Sequence, residues 1–226
     1  MAGARHGSAP ALKARKPTGL LGGSFNPAHA GHRRISLAAI DALGLEELWW
    51  LVSPGNPLKP EAGMAPLPAR LASAQGMARR SRIVATAIEA RLGTRYTADS
   101  LRKLARRYPD RRFIWIMGAD NLVQFDQWRD WRLIARTMPI AVIARPGYDG
   151  GAHRARAMGW LRRYVRPQSQ SRCWTKWRTP ALVLLHFRPD PTSATRLRAA
   201  LPDWDRLLST KAPRDRITRL PLPHGG

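Results

Sequence analysis

The chain reads as an α/β protein, a parallel sheet with helices on both faces. Short, continuously apolar runs have the length and two-sided hydrophobicity of strands covered on both sides: ELWWLVS (47–53), RRFIWIMG (111–118), PIAVIARPG (139–147) and ALVLLHF (181–187). Segments of helical periodicity separate them, and strand–helix–strand spacing of this kind builds parallel crossovers. The loops that follow the strands carry the chemically unusual residues: GGSFNPAHAGH (22–32), SPGNPLKP, GADN and the segment after His186. In an open parallel sheet such loops gather at one rim, beyond the carboxyl ends of the strands, which is where these folds bind ligands.

Taken in order, Thr18–Leu21 is a short apolar run that ends in Gly-Gly, a strand feeding a tight loop. GHRRISLAAIDALG then predicts a helix that starts near His32, places Ile35, Ala38, Ala39 and Ala42 on one face and stops at Gly44. After the strand 47–53, the Pro-punctuated stretch PGNPLKPEAGMAPLP is a loop. Residues 70–91 have helical periodicity with few breakers; Tyr96 and Thr97 end a short strand, and ADSLRKLARRY is a compact helix. Three further strands follow, and PTSATRLRAAL (191–201) opens with helix-start residues before a helical apolar pattern. Residues 148–179 break the alternation and read as a basic insertion, part helix and part loop, with Trp160 and Trp174 packed on the body. The expected organisation is a flexible basic arm at 1–16, one domain at 17–208 with the irregular insertion 148–179, and a C-terminal tail at 209–226.

A chain of 226 residues with 44% apolar content is long enough for one well-buried domain. No window approaches 18 uninterrupted apolar residues, which argues against a membrane span. The first residues are basic but lack the apolar core of a secretory signal, and the single cysteine, Cys173, excludes an internal disulfide and a cysteine zinc site. A reducing cytoplasm is the expected location. The net charge of +24 raises nucleic acid as a partner, but the 33 Arg are spread along the chain rather than gathered in an arm. The 33:6 ratio of Arg to Lys, with abundant Ala, fits GC-rich codons, and the positive field suits anionic small molecules.

Gly22 and Gly23 allow tight turning and close approach of the backbone to a bulky anion. His29 and His32 bracket the start of a helix, where free N–H groups favour phosphate oxygens. Metal binding by this pair is disfavoured, because neither the i,i+4 spacing of a zinc helix nor a neighbouring carboxylate is present. Two surface histidines on a turn is the plainer reading of that stretch alone. Ser193, Thr195 and Arg198 form a second helix start, with a guanidinium able to hold phosphate oxygens bidentately.

Together the two stretches resemble the nucleotidyltransferase superfamily with the HxGH signature. His29, Gly31 and His32 match that signature, and Ser193, Thr195 and Arg198 match its late SxTxxR element. Within the superfamily the chain is similar to the bacterial nicotinate-nucleotide adenylyltransferases across roughly residues 18 to 201. The further matches are the Pro57-Leu58-Lys59 loop, Tyr96-Thr97-Ala98, and GADN followed by WRDW. The resemblance implies a Rossmann-like sheet and transfer of the adenylyl group of ATP to nicotinate mononucleotide, with release of pyrophosphate. The attacking phosphate is already anionic, so the protein's share is positioning and neutralisation of charge.

The resemblance also implies roles. His29, His32 and Arg198 act on the reacting phosphates, while Gly22, Gly23, Ser24, Phe25, Lys59, Ser193 and Thr195 belong to the ATP side. Thr97, Asp120, Asn121, Trp128 and Arg129 belong to the nicotinate mononucleotide side, with Trp128 stacking on the pyridinium ring and Asp120 accepting from ribose hydroxyls. No residue is expected to ligate a metal directly, since Mg2+ would be held by phosphate oxygens and water. One departure stands out: the family commonly has Asp where this chain has Asn26, which keeps the local turn bonding and loses a charge. The competing readings are a sister enzyme, such as a pantetheine-phosphate adenylyltransferase or a cytidylyltransferase, and a basic nucleic-acid-binding protein on a nucleotide fold. The last predicts salt-sensitive binding without pyrophosphate release.

Overall fold

The computed structural model describes residues 15–55, 63–144, 154–187, 194–208 and 213–222. Seven strands form one sheet: β1 (Lys16–Gly23), β2 (Glu47–Val52), β3 (Ile83–Thr86), β4 (Arg111–Gly118), β5 (Ile140–Ala144), β6 (Val165–Arg166) and β7 (Leu182–His186). Their order across the sheet is β3-β2-β1-β4-β5-β7-β6, and every neighbouring pair is parallel. The chain builds outward from β1 in one direction, then returns to β4 and builds in the other. The switch therefore falls between β1 and β4, where Leu20 is registered with Trp115 and Leu21 with Ile116.

Alternation along the strands sends side chains into two cores. Leu48, Trp50, Val52, Ile114 and Ile116 face one layer, with α1 (Ala30–Leu43) and α2 (Leu67–Met77). Trp49, Leu51, Phe113, Trp115 and Met117 face the other. That layer holds α3 (Ile88–Leu92), α4 (Thr97–Arg107), α5 (Ala119–Val123), α6 (Trp131–Thr137) and α7 (Arg156–Leu161). Covering on both faces is why these strands read as unbroken apolar runs. A last helix, α8 (Ala194–Ala200), follows β7. Among the described residues no helix is long and apolar enough to cross a membrane.

Several expectations need correction. The stretch 70–91 is not one helix: α2 ends at Met77, Arg80 takes a left-handed backbone, and Ile83–Thr86 leave as strand β3 beside β2. Periodicity cannot reveal a turn set by a non-glycine residue at positive φ, and four residues are too few to show their own period. Tyr96 and Thr97 do not end a strand; Tyr96 is the N-cap of α4 and Thr97 its first residue. Helix α1 starts at Ala30 rather than His32, and its fully buried positions are Gly31, Ser36, Ala39, Ile40 and Leu43, with Ile35, Ala38 and Ala42 only half-buried. It does stop at Gly44, in the left-handed conformation that glycine takes without strain. Lys16 begins β1, so the sheet starts one residue before the expected boundary.

Within the insertion, residues 154–179 are more ordered than a solvated excursion. Val165–Arg166 pair with β7, and a 3-10 stretch, Gln168–Lys176, sinks Trp174 fully into the core with its Nε1 donating to Leu43 O at 3.0 Å. The segment 213–222 also packs on the body. Asp215 is buried, and its carboxylate accepts from Thr86 Oγ1 (2.7 Å), the Ala87 amide (2.6 Å) and the amides of Ile217 and Thr218. The turn that launches α3 is thereby fixed from the far end of the chain.

Candidate active site

The two stretches singled out at opposite ends of the sequence meet. Arg198, half-buried on α8, donates from Nη1 to the Asn26 carbonyl at 2.7 Å, and its Nη2 lies 3.4 Å from Thr195 Oγ1. Asn26 sits in the loop that joins β1 to α1, three residues before His29. A guanidinium and two imidazoles therefore share the rim of the sheet beside the β1–β4 switch.

His29 is the N-cap of α1, and its ring centroid lies 3.9 Å from that of His32. The His29 amide donates to His32 Nδ1 at 3.3 Å, which leaves the ring proton of a neutral His32 on Nε2. His32 is braced from below: the Phe25 ring tilts against it at 4.9 Å and stacks on Trp50 at the same distance. Ser36 Oγ donates to the His32 carbonyl, and Trp50 Nε1 donates to Ser36 Oγ, both at 2.8 Å. Phe25 itself is 1% exposed, so its ring supports the loop from the core. Asn26 shapes the same loop, with Nδ2 donating to Gly63 O (2.8 Å) and Oδ1 accepting from the Ala65 amide (3.2 Å). Both ends of that amide are committed to the backbone.

Beside this rim lies a cavity of about 270 Å³, into which Gly22 and Gly23 open from the end of β1, Ser24 from the loop after it, Ser53 from the loop after β2, and Thr97, Asn121, Trp128 and Arg129 from the other layer. Trp128 is half-buried and meets Trp115 edge-on at 6.4 Å and Phe125 at 5.5 Å, so part of it belongs to the core and part to the cavity wall. Arg129 lies over the Tyr96 ring at 4.6 Å. The first turn of α4, beginning at Thr97, forms the same end of the cavity. Asp120 stands exposed at the start of α5 and lies outside the lining, while its neighbour Asn121 lies within it. Lys59 and Ser193 fall outside the described residues.

Three contributors went unnoticed in the sequence. Trp115 supplies the cavity floor, and Gly22 makes room for it, since a Cβ there would fall 2.6 Å from Trp115 Cη2. Its place on the same strand face as Phe113 and Met117 was the available signal. Arg70 holds several carbonyls around the rim, and an Arg amid the apolar LPARLAS was its only mark.

Glu89, on α3, is the third. Desolvation raises its carboxyl above the ordinary 4.5, opposed by Ser100 Oγ, which donates to it at 2.7 Å. Because the folded value is the raised one, the stability this group contributes is fully present below about pH 4.5 and is lost as pH rises through the raised value. Glu89→Gln should therefore flatten the fall of Tm with pH across that interval, as thermal melts from pH 4 upward in both proteins would read.

Comparison with known proteins gives the family and the fold. The family profile described as cytidylyltransferase-like matches residues 20–200. The chain is 62% identical over 187 residues to a probable nicotinate-nucleotide adenylyltransferase of Erythrobacter litoralis, covering 83% of this chain and 85% of that protein. It is 49% identical over 189 residues to the one named likewise in Parvibaculum lavamentivorans, covering 84% and 92%. In fold it is similar to the Plasmodium falciparum nicotinic acid mononucleotide adenylyltransferase solved with NaAD, with a TM-score of 0.60 at 15% identity over 82% of this chain and 83% of that one.

Proposed function

Because the chain belongs to the cytidylyltransferase-like family, among the nicotinate-nucleotide adenylyltransferases, we propose that it transfers the adenylyl group of ATP to nicotinate mononucleotide, giving nicotinate adenine dinucleotide and pyrophosphate. The observation that carries the reading is the contact of Arg198 with the Asn26 carbonyl, which sets the late guanidinium against the HxGH loop, whose first residues Gly22, Gly23 and Ser24 line a Trp-walled cavity. We assign this work to one catalytic domain spanning about residues 17–208, acting in the cytoplasm on two small nucleotides.

The phosphate of nicotinate mononucleotide attacks the α-phosphorus of ATP, the bond to the bridging oxygen breaks, and the electron pair leaves with pyrophosphate. His32, with its proton on Nε2, donates toward the reacting phosphoryl group, and His29 adds a second imidazole at the helix N-terminus. Arg198, Thr195 and Ser193 hold the β- and γ-phosphates that depart, and Lys59 adds charge from the second loop. Gly22, Gly23 and Ser24 let the backbone approach the nucleotide. On the other side the nicotinate ring lies against Trp128, with its carboxylate toward the Thr97 amide and Arg129; Asn121 meets the ribose from the wall, and Asp120 from outside it.

The donor set on the rim is cationic, and the Asn26 amide is committed to Gly63 and Ala65. A Mg2+ ion therefore fits here only when carried on the phosphates that these side chains bind. Its chemistry is to neutralise the triphosphate.

Pyrophosphate release measured with ATP against a panel of acceptors tests the reading. Nicotinate mononucleotide should be turned over and phosphopantetheine should not; release with phosphopantetheine alone would replace the proposal with the sister activity. Trp128→Ala should raise the KM for nicotinate mononucleotide about fivefold, with kcat within about twofold, since it removes a stacking surface worth about 1 kcal/mol. An unchanged KM alongside a lower Tm would return Trp128 to the core.

A further inference from the structure

Arg70 sits on α2 and is 2% exposed, one of the largest fully buried side chains in the protein. A guanidinium so buried is ordinarily matched by a carboxylate. Here each of its hydrogen bonds goes to a backbone carbonyl: Nε to Ala65 (2.8 Å), Nη1 to Ser24 (2.9 Å) and Ser53 (2.6 Å), and Nη2 to Pro54 (3.2 Å). Ser24 belongs to the loop after β1, Ser53 and Pro54 to the loop after β2, and Ala65 precedes α2. Both Ser24 and Ser53 line the cavity.

Other ties bind α2 to the first loop, to α1 and to the segment 213–222, where Gln75 Nε2 donates to Arg214 O at 2.8 Å. Ser73 Oγ accepts from the Ala28 amide at 3.1 Å, and Arg33 Nη1 donates to Met77 O at 2.7 Å. Arg70 alone, among these, also reaches the loop after β2. The planar fork matters, because one side chain must serve four carbonyls that converge from three segments. Burial lowers the pKa of Arg70 to about 10, so the group remains charged at neutral pH. The carbonyl dipoles solvate that charge without cancelling it.

Resting on the proposed adenylyl transfer, we infer that Arg70 is a positioning residue for the ATP side of the site. It fixes the spacing of the loops after β1 and β2, and it sets beneath them a buried positive charge that a bound triphosphate complements. The clamp acts through Ser24 and Ser53 and touches no substrate. Its effect should therefore fall on ATP rather than on the pyridine nucleotide.

Arg70→Lys keeps the charge and offers at most three donors without the fork. This variant should raise the KM for ATP about tenfold while the KM for nicotinate mononucleotide moves less than about threefold. The rise in Tm produced by ATP alone should shrink in parallel. A variant with lowered Tm but unchanged ATP KM and an unchanged ATP-induced rise would make Arg70 a structural residue and overturn the inference. Hydrogen exchange on the wild-type protein needs no variant: ATP alone should slow exchange in 23–26 and 53–55 together, and slowing confined to one segment also overturns it. These ATP-binding readouts stand apart from turnover. If wild-type protein binds ATP but releases no pyrophosphate with nicotinate mononucleotide, it is the proposed function that fails.

Discussion

His32→Ala should lower kcat about 100- to 1,000-fold, the size of loss seen when one preorganised donor is removed from a transition-state site. The fold should tolerate the change. His32 is half-buried, and its losses include the amide bond from His29 and ring contacts with His29, Phe25 and Trp50, together worth about 1–2 kcal/mol or a Tm shift of about 2–8 °C. Ser36 and Trp50 hold the His32 carbonyl whatever its side chain, so α1 should stay in place. His32→Gln is the informative companion, because its amide nitrogen can replace the Nε2 donor and should restore about tenfold of the loss. Steady-state kinetics with a thermal melt on each variant checks both statements. Turnover within about threefold of wild type in His32→Ala would remove the imidazole from the chemistry.

The strands and the rim were legible in the sequence because each rests on a local pattern. Runs such as LWWLV and FIWIM are apolar on both sides only if helices cover both faces, and their following loops must then lie together. That the loop after β1 lies on the same rim as the helix bearing Arg198 also follows once the sheet is parallel, and the bond from Arg198 to the Asn26 carbonyl joins them. What stayed hidden depends on side chains acting across the fold. Strand β3 is four residues long and takes its identity from pairing with β2, so a helical pattern masked it. Nothing in the sequence marks the reach of Arg70, since its four carbonyls come from segments that share no spacing with it. Asp215, 129 residues from Thr86, fixes the turn into α3 by the same kind of unannounced contact. Phe25 shows the converse: a motif residue that the resemblance puts on the ATP side has its ring stacked on Trp50 beneath the loop.

Arg198→Ala should reduce kcat/KM for ATP about 100- to 1,000-fold while leaving Tm within about 2 °C. The second half of that expectation comes from packing: no residue described in α8 is fully buried, and the helix gives up only a carbonyl bond and a weak contact to Thr195. The first half comes from the fork. One arm of Arg198 is committed to the Asn26 carbonyl, which in the proposed reaction leaves the remaining N–H groups for the departing phosphates. Lys can supply charge or a bond to that carbonyl but cannot do both at once, so Arg198→Lys should recover only about tenfold. Arg198 grips the first loop at Asn26 from the late helix, and Arg70 grips it at Ser24 from below. If both serve one loop geometry, their effects on ATP binding will not add. A double variant, Arg198→Lys with Arg70→Lys, should then cost less than the product of the two single losses, by an amount that a double-mutant cycle on kcat/KM for ATP reads directly. Strict additivity would mean that the two guanidiniums act on the triphosphate separately, Arg198 by direct contact and Arg70 through the second loop alone.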